Sequence, residues 1–533
     1  MADRTSLASQ VCWNCKNGKR KCTKELPSCA RCAKLLLKCD YDWTAGNPPD
    51  PSAAQSKPSP ASSIEAHTPP SLQSASRLLH SLSRGSPKSY GGEANIPSQV
   101  LSILIANGES VQSVTALYFR TIDVWLPIIS PHKCIQRLEN IAAENNPELS
   151  NLLLCMYLVT RQPGKSSGVK EMQTPVYFEA KTLLTTLTSS GNSSIEVIQA
   201  GLLLSLYEQG HGMIDVAQLT MSVCTRMAMK MKVALRAAPE LQNTDFGRLW
   251  WGLVILDRHL NQILSPEEIQ LTVGSSSDGV PSMELPVDDE AHAGLNRPIT
   301  MRTISGISAE SRPTTRLGPF CRASEAAHLL GKVLDLVARS SYTNEIDEEK
   351  SRALDTSLQV LAMNLMQLAV NGWEECCAAI GLTLSALLLL HERTWQLVRG
   401  SPGHDDRREI ATMALSSATR MVIDISRRFH MDLAFIDLPA LPLPATYAVY
   451  RASMLYIDFA GDEFMGVEWN SNMKSLRGTL EYFGKRWNVG KHYLDLIDRA
   501  LVDKKQARAL INPDLAGSHD NHELLQDMDI SHG

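Results

Sequence analysis

The sequence lacks any apolar run long enough to cross a membrane. Its most apolar stretch, 380–390, ends after 11 residues at His391, whereas a membrane-spanning helix needs roughly 20. The first 15 residues contain no apolar run either, so we expect no secretory signal. Without export, disulfide bonds are not expected. The cysteines are therefore predicted to be free thiols or metal ligands of a soluble protein.

The sequence also lacks the motifs that usually identify an enzyme. It contains no G-x-x-x-x-G-K-[ST] and no G-x-G-x-x-G. The segment HERTW at 391–395 begins like the helix of a zinc protease, but Trp395 stands where the second histidine is required. No nucleophile, base and orienting residue are grouped. We predict that the chain is not an enzyme, and turnover by residues 100–533 would contradict this.

Charge is distributed unevenly along the 533 residues. Apolar residues make up 44% and charged residues 20% of the chain, which is typical of a soluble protein, and the length suits two or three domains. The net charge of −5 conceals a basic segment at 11–43, where eight basic side chains and three acidic ones give +5. This distribution suggests that only the basic segment binds a polyanion.

Half of the twelve cysteines lie within 28 residues and repeat one spacing, C-x₂-C-x₆-C. They are Cys12, Cys15, Cys22, Cys29, Cys32 and Cys39. Zinc takes four ligands in a tetrahedron and accepts thiolates readily. Two zinc ions need eight ligand positions, which six cysteines fill only if two thiolates are shared. We therefore predict a binuclear cluster of two zinc ions, whose binding folds a segment too short for an apolar core.

Each half of the repeat is predicted to begin a short helix. The insert at 16–21 is nearly all cationic, whereas the insert at 33–38 is apolar at its centre. The first helix is therefore expected to face DNA, where a lysine in the major groove can donate to guanine and other cations can contact phosphates. The alternatives are a solvated face and an import signal. The candidate DNA-binding residues are Lys16, Lys19, Arg20, Lys21 and Lys24.

Residues 12–43 resemble the fungal-type zinc binuclear cluster, the six-cysteine DNA-binding domain of fungal transcription regulators. The segment KRKCTKELPSCARC, which includes the loop proline Pro27, and the closing CDY fit its pattern. The resemblance implies that Cys12 and Cys29 bridge the two zinc ions. It also implies that one ion is completed by Cys15 and Cys22 and the other by Cys32 and Cys39.

The same resemblance places Lys19 at the position whose lysine reads a CGG-like triplet. It places Lys16, Arg20, Lys21 and Lys24 at supporting basic positions. Gly18 departs from the pattern, because many members have a second basic residue there. Clusters with a small residue at this position resemble the subset that regulates secondary-metabolite genes.

Residues 44–98 are rich in proline, serine, alanine and glycine, and we predict a disordered linker because they cannot bury enough apolar surface. Residues 1–11 and the acidic tail 511–533 are also predicted to be disordered. Leu72 and Leu79 are seven residues apart, but the pattern lasts about one heptad, too short for a coiled coil. The tail alternates acidic and apolar residues, which is typical of activation segments and also of a plain solvated tail.

Residues 99–510 are predicted to form an all-α domain of many packed helices, interrupted by a polar loop near 265–316. Ser193 and Glu196 form a capping-box pattern before one helix, with Gly210 as its stop. The next two helices are defined by apolar faces. One face comprises Val216, Leu219, Val223, Met227 and Met231, and the other Phe246, Leu249, Trp250, Leu253, Leu256 and Leu260.

Several phrases between 110 and 340, among them YFRTIDVWLPIIS and FGRLWWGLVILDRHL, resemble the middle homology region of the same fungal regulators. The resemblance implies a regulatory region that responds to effectors, contacts partners and restrains activation. The same residues also have a structural interpretation. Trp250 and Trp251 are expected in the core, and Asp257 and Arg258 in an ion-pair network with Arg248.

These observations predict a nuclear, sequence-specific regulator of RNA polymerase II transcription with double-stranded DNA as its partner. The resemblance favours an activator of a biosynthetic gene cluster that binds CGG-like sites. Regulation of primary metabolism or drug response, and a zinc-stabilised protein-interaction module, are the alternatives. A homodimer and contacts with the transcription machinery through the helical domain or the tail are further expected partners, and no membrane is expected.

Overall fold

The computed structural model describes residues 8–12, 15–16, 21–26, 28–34, 39, 41, 95–164, 168–191, 193–235, 245–273, 285–286, 301–302, 318–369, 376–399, 405–460 and 466–511. These residues divide into two compact units, one at the amino terminus up to residue 41 and one from residue 95 to 511. Residues 44–94 of the predicted linker 44–98 and residues 512–533 of the predicted tail 511–533 lie outside the described residues.

The small unit repeats one local hydrogen bond in its two halves. The backbone N–H of Lys16 donates to the carbonyl of Cys12 at 3.0 Å, and that of Ala33 donates to Cys29 at 2.9 Å. Both bonds have the spacing of an α-helical hydrogen bond, in agreement with the short helix predicted for each half. The turn after Cys29 continues as α1 (Ala30–Lys34).

The large unit is a stack of helices. In its amino-terminal half these are α2 (Ile96–Ala106), α3 (Val111–Thr121), α4 (Pro131–Leu138), α5 (Pro147–Thr160), α6 (Val169–Met172), α7 (Pro175–Ser189), α8 (Ile195–Gly210), α9 (Ile214–Leu235) and α10 (Asp245–Asn261). In its carboxyl-terminal half they are α11 (Pro319–Thr343), α12 (Glu348–Ala369), α13 (Cys377–Val398), α14 (Asp405–Met431), α15 (Ala445–Asp458), α16 (Val467–Gly484) and α17 (Val489–Ile511). The predicted fold class, a small zinc domain beside a large all-α domain, is confirmed.

Local sequence signals place the helix starts. Asn95, Asn146 and Thr174 each accept the backbone N–H three residues later, and a proline follows within the first two helical positions. Helix α2 therefore begins at Ile96, three residues before the predicted domain start. The predicted capping box is displaced by one residue, because Ser194 rather than Ser193 accepts the N–H of Val197.

Four helices are buried on nearly every side and form the centre of the unit: α5, α8, α10 and α13. Helix α5 packs on α8, α10 packs on α11, and α11 packs on α13, so one apolar core runs from Ile96 to Ile497. The predicted face of α10 is buried, as are Trp250 and Trp251.

The predicted buried face of α9 is partly wrong. Val216, Met227 and Met231 pack against the core, but Leu219 and Val223 are 69% and 45% exposed. Helix α9 packs closely on α8, where a Cβ built on Gly201 would lie 2.3 Å from the Cys224 Sγ atom. Small side chains are required at so close an approach, so Leu219 and Val223 turn outward.

The predicted polar loop near 265–316 contains a short strand pair that the sequence did not indicate. Leu285–Pro286 (β1) pairs antiparallel with Met301–Arg302 (β2). No single described helix is long and apolar enough to cross a membrane. The pair α2 and α3, bent by 76°, passes that test only together, on length and composition alone.

Candidate metal centre and nucleic-acid interface

The cysteines of the repeat bring their sulfur atoms together. Cys12 Sγ lies 3.8 Å from Cys29 Sγ, 3.6 Å from Cys32 Sγ and 3.8 Å from Cys22 Sγ. Cys15 Sγ lies 3.7 Å from Cys29 Sγ. All twelve cysteines are free thiols, so these separations are not those of disulfides, whose sulfur atoms lie at about 2.0 Å.

The sulfur separations fit tetrahedral zinc. With a Zn–S bond of about 2.3 Å, two ligands of one tetrahedral ion lie roughly 3.8 Å apart, which is the separation observed. The Sγ atoms of Cys12, Cys15, Cys29 and Cys32 all lie within 4.8 Å of one another. Their side chains are fully buried, so the group is enclosed as a structural site should be.

The remaining two cysteines lie at the edge of this group and are half-buried. Burial raises the pKa of Cys22, but backbone hydrogen bonds from Cys12 and Lys24 outweigh it and lower the pKa to about 7. Burial raises the pKa of Cys29 to about 12. Burial also raises the pKa of Cys12 and Cys32, so these thiols resist ionisation, and a bound cation removes that resistance.

Two side chains that the sequence analysis gave no role hold the cluster in shape. Thr23 Oγ1 accepts the backbone N–H of Ala30 at 2.9 Å, at the start of α1. The hydroxyl of Tyr41 donates to the carbonyl of Glu25 at 2.8 Å. Tyr41 belongs to the CDY segment that carried the resemblance, but nothing in the sequence indicated its partner.

The predicted DNA-binding residues are partly described. Lys16 and Lys21 are exposed. Lys24 has a left-handed backbone with φ of 61°, and its Nζ donates to the carbonyl of Ser9 at 3.3 Å. Lys19 and Arg20 lie outside the described residues. Arg31, which was not predicted as a site residue, donates from Nη1 to the Sγ atom of Cys15 at 4.0 Å.

In the large unit, the predicted ion pair of Asp257 and Arg258 is confirmed and is buried. Asp257 Oδ1 also accepts the N–H and the hydroxyl of Thr272, and Arg258 donates to the carbonyl of Val273 at 2.6 Å. The pair therefore anchors the chain that follows α10. Arg248, predicted to join this network, places its guanidinium 5.6 Å from the ring of Phe320.

Comparison with known sequences agrees with this geometry. Residues 10–47 match the fungal Zn(2)-Cys(6) binuclear cluster domain, and residues 115–367 match the fungal specific transcription factor domain. The chain carries both domains of a fungal zinc-cluster transcription factor. Transcription factor BOA15 of Botryotinia fuckeliana is 29% identical over 147 residues, which are 27% of this chain and 80% of that protein.

Three predictions are thereby confirmed. The Zn(2)-Cys(6) domain implies two zinc ions. The two matched domains together imply DNA-binding transcription regulation. Both matched families are transcription-factor domains rather than enzymes. The second match extends the predicted middle homology region, 110–340, to residue 367.

Proposed function

We propose that this zinc-cluster factor is a nuclear, sequence-specific regulator of RNA polymerase II transcription that binds CGG-like DNA sites. The observation that carries the proposal is the sulfur geometry of the cluster beside the exposed side chains of Lys16 and Lys21. These two lysines flank Lys19 and Arg20 in sequence. Cations beside a metal-bound fold suit contacts with both bases and phosphates.

All six cysteines are proposed as ligands, with Cys12 and Cys29 shared between the two zinc ions. A shared thiolate must lie near ligands of both halves of the repeat. Cys12 meets this condition, since it lies within 3.8 Å of Cys22 in the first half and of Cys32 in the second. Cys29 accepts the backbone N–H of Cys32 at 3.4 Å and lies 3.7 Å from Cys15.

Lys19 is proposed to read the bases, and Lys16, Arg20, Lys21 and Lys24 to contact phosphates. The test is the affinity of the full chain for a CGG-containing duplex and for a scrambled duplex, measured by fluorescence anisotropy. Lys19→Ala should weaken the specific complex by about 1–3 kcal/mol and flatten base preference. Lys34→Ala, in the second half of the repeat, is the matched control and should keep the preference.

The outcomes separate the alternatives. Affinity should fall steeply with salt, because phosphate contacts release counterions, and it should vanish when a chelator removes zinc. Equal affinity for both duplexes would overturn sequence-specific binding. A salt-independent complex with a protein, and no complex with DNA, would instead favour the protein-interaction module.

The proposed role is activation of a biosynthetic gene cluster of secondary metabolism. It is supported by the resemblance that Gly18 carries, with primary metabolism and drug response as the rivals. A homodimer and contacts with the transcription machinery through the helical domain or the tail belong to the same proposal. Mapping the bound promoters across the genome tests the role, and loss of their transcripts when the gene is deleted tests the sign of regulation.

A further inference from the structure

A cavity of about 470 Å³, partly open to solvent, lies in the helical unit. Its walls come from the turn between α8 and α9, from the chain just after α10, and from α11, α13, α15 and the start of α17. The volume falls in the range of drug-sized ligand sites. Much of the wall, including the residues from α13, α15 and α17, lies beyond residue 367 and therefore outside the matched family domain.

Four side chains that line this cavity carry buried polar atoms without a hydrogen-bond partner among the described residues. The unpaired atoms are both ring nitrogens of His211, both amide atoms of Gln262, the hydroxyl of Tyr493 and Oδ1 of Asn488. Each such group costs roughly 1–3 kcal/mol of stability when it is left unpaired. Several around one cavity make it the place where a bound molecule could supply the missing hydrogen bonds.

The rest of the wall is apolar and aromatic. The rings of Tyr450 and Tyr493 stack with centroids 4.3 Å apart and planes 10° apart, beside Tyr447. Leu334 and Val337 of α11 form another part of the wall. Stacked rings favour a planar, ring-containing occupant.

The charges at the wall favour a neutral occupant. Glu392 and Arg451 face the cavity and already form an ion pair with each other. Arg393 donates to the hydroxyl of Ser340 at 2.7 Å and to its carbonyl at 2.9 Å. Burial, with Arg486 and Lys491 nearby, holds the pKa of His211 well below its ordinary value, so its ring is neutral. Arg393 is only partly buried, so water solvates its charge, and a charged group held deep in the cavity would lack a buried partner.

We propose that this cavity binds a neutral, ring-containing organic molecule whose hydroxyl or carbonyl groups pair with Gln262, Tyr493, Asn488 and His211. The site goes beyond DNA binding, since none of its residues belongs to the zinc-cluster unit.

The first experiment uses Nile red, a neutral fused-ring dye with a carbonyl group whose fluorescence rises in apolar surroundings, titrated into the full chain. We expect saturable binding and much weaker binding of the anionic dye 8-anilino-1-naphthalenesulfonate. Ile263→Trp should fill the cavity and lower the affinity for Nile red at least about tenfold. Ile425→Trp, which fills a separate cavity of about 140 Å³, is the matched control and should leave the affinity for Nile red unchanged.

Absence of saturable Nile red binding would overturn the proposal, and so would an equal loss of Nile red affinity in both tryptophan variants. So would a preference for the anionic dye. The CGG duplex affinity of Ile263→Trp, measured without dye, should equal that of the wild type, which keeps this test separate from the test of DNA binding.

A second variant tests the polar wall. Gln262→Leu removes both unpaired amide atoms at nearly constant volume, so it should leave the thermal midpoint unchanged or raised. It should also lower the affinity for Nile red by about five- to tenfold, since the dye carbonyl loses a donor. A lowered midpoint with unchanged affinity would show a purely structural glutamine and contradict the proposed pairing.

Discussion

The indole of Trp487 lies directly against the backbone of Gly210. A Cβ atom built on Gly210 would lie 2.2 Å from the Cε3 atom of the indole. Trp487 is fully buried, and its Nε1 donates to the carbonyl of Leu441 at 2.9 Å. The neighbouring Arg486 donates to the carbonyl of Val159 at 2.6 Å. The segment before α17 is thereby fixed to α5 and α8, more than 270 residues earlier in the chain.

Gly210→Ala should therefore destabilise the helical unit. The added methyl group must displace a fully buried indole, and such overpacking costs about 1–3 kcal/mol. The midpoint of urea unfolding, followed by helical circular dichroism, measures the loss. Gly191→Ala is the control: Gly191 has φ of 79° and nothing within 4 Å of its Cβ position, so it should cost only the left-handed strain of about 1 kcal/mol. A smaller loss for Gly210→Ala than for Gly191→Ala would contradict the packing argument.

The sequence predicted the helices better than their contacts. The buried face of α10 was predicted correctly because large apolar side chains occupy it at helical spacing. The predicted face of α9 was wrong at Leu219 and Val223 because tight packing selects small residues, such as Cys224 against Gly201, and a pattern of large apolar residues cannot show this. Gly210 was predicted to stop a helix and α8 does end there, although the left-handed residue at that turn is Gly212. The role of Gly210 depends on Trp487, which no local pattern connects to it.

For the candidate site too, the sequence predicted the residues with local spacing and missed those that only the fold brings together. The cysteine cluster was predictable because its spacing is local and metal geometry is strict. Thr23 and Tyr41 act through partners 7 and 16 residues away, so their roles appear only in the fold. The cavity residues His211, Gln262 and Tyr493 are scattered over nearly 300 residues, and only packing brings them together.

Lys181 neutralises a carboxylate that has no access to solvent. Glu208 is fully buried and accepts from Lys181 Nζ at 2.6 Å and from the Tyr177 hydroxyl at 2.9 Å. Lys181→Met should cost about 3–5 kcal/mol, because it leaves a buried charge without its partner. The double variant Lys181→Met/Glu208→Gln should recover part of this loss in urea unfolding.

A surface pair provides the comparison for this prediction. Lys133 pairs with Asp245 at 2.5 Å, but its side chain is 66% exposed. Lys133→Met should cost less than about 1 kcal/mol, because solvent screens the pair. Equal losses of unfolding free energy in the Lys181 and Lys133 variants would show that burial of Glu208 does not determine how much stability is lost.

His259 should make the helical unit sensitive to acid. Its ring is buried, Nδ1 lies 3.0 Å from Gln209 Oε1, and burial lowers the pKa to about 3. An unfolded histidine titrates near 6.5, so the unfolded state binds the extra proton first. Stability contributed by His259 is therefore complete above about pH 6.5 and is lost as the pH falls toward 3, at about 1.4 kcal/mol per pH unit. His259→Gln should reduce the slope of unfolding free energy against pH by about one proton, whereas His132→Gln, at an exposed position, should leave the slope unchanged.

Zinc content distinguishes the cysteines of the cluster from those of the helical core. Cys12 and Cys155 are both buried free thiols, but only Cys12 lies within 3.8 Å of three other sulfur atoms. Cys12→Ala should lower bound zinc below two ions per chain, measured by elemental analysis, and abolish specific DNA binding, because metal binding supplies the folding energy of the small unit. Cys155→Ala should retain both ions and the DNA complex while lowering the unfolding midpoint of the helical unit, since it removes a packed core side chain. Retention of two zinc ions by Cys12→Ala would contradict its assignment as a shared ligand.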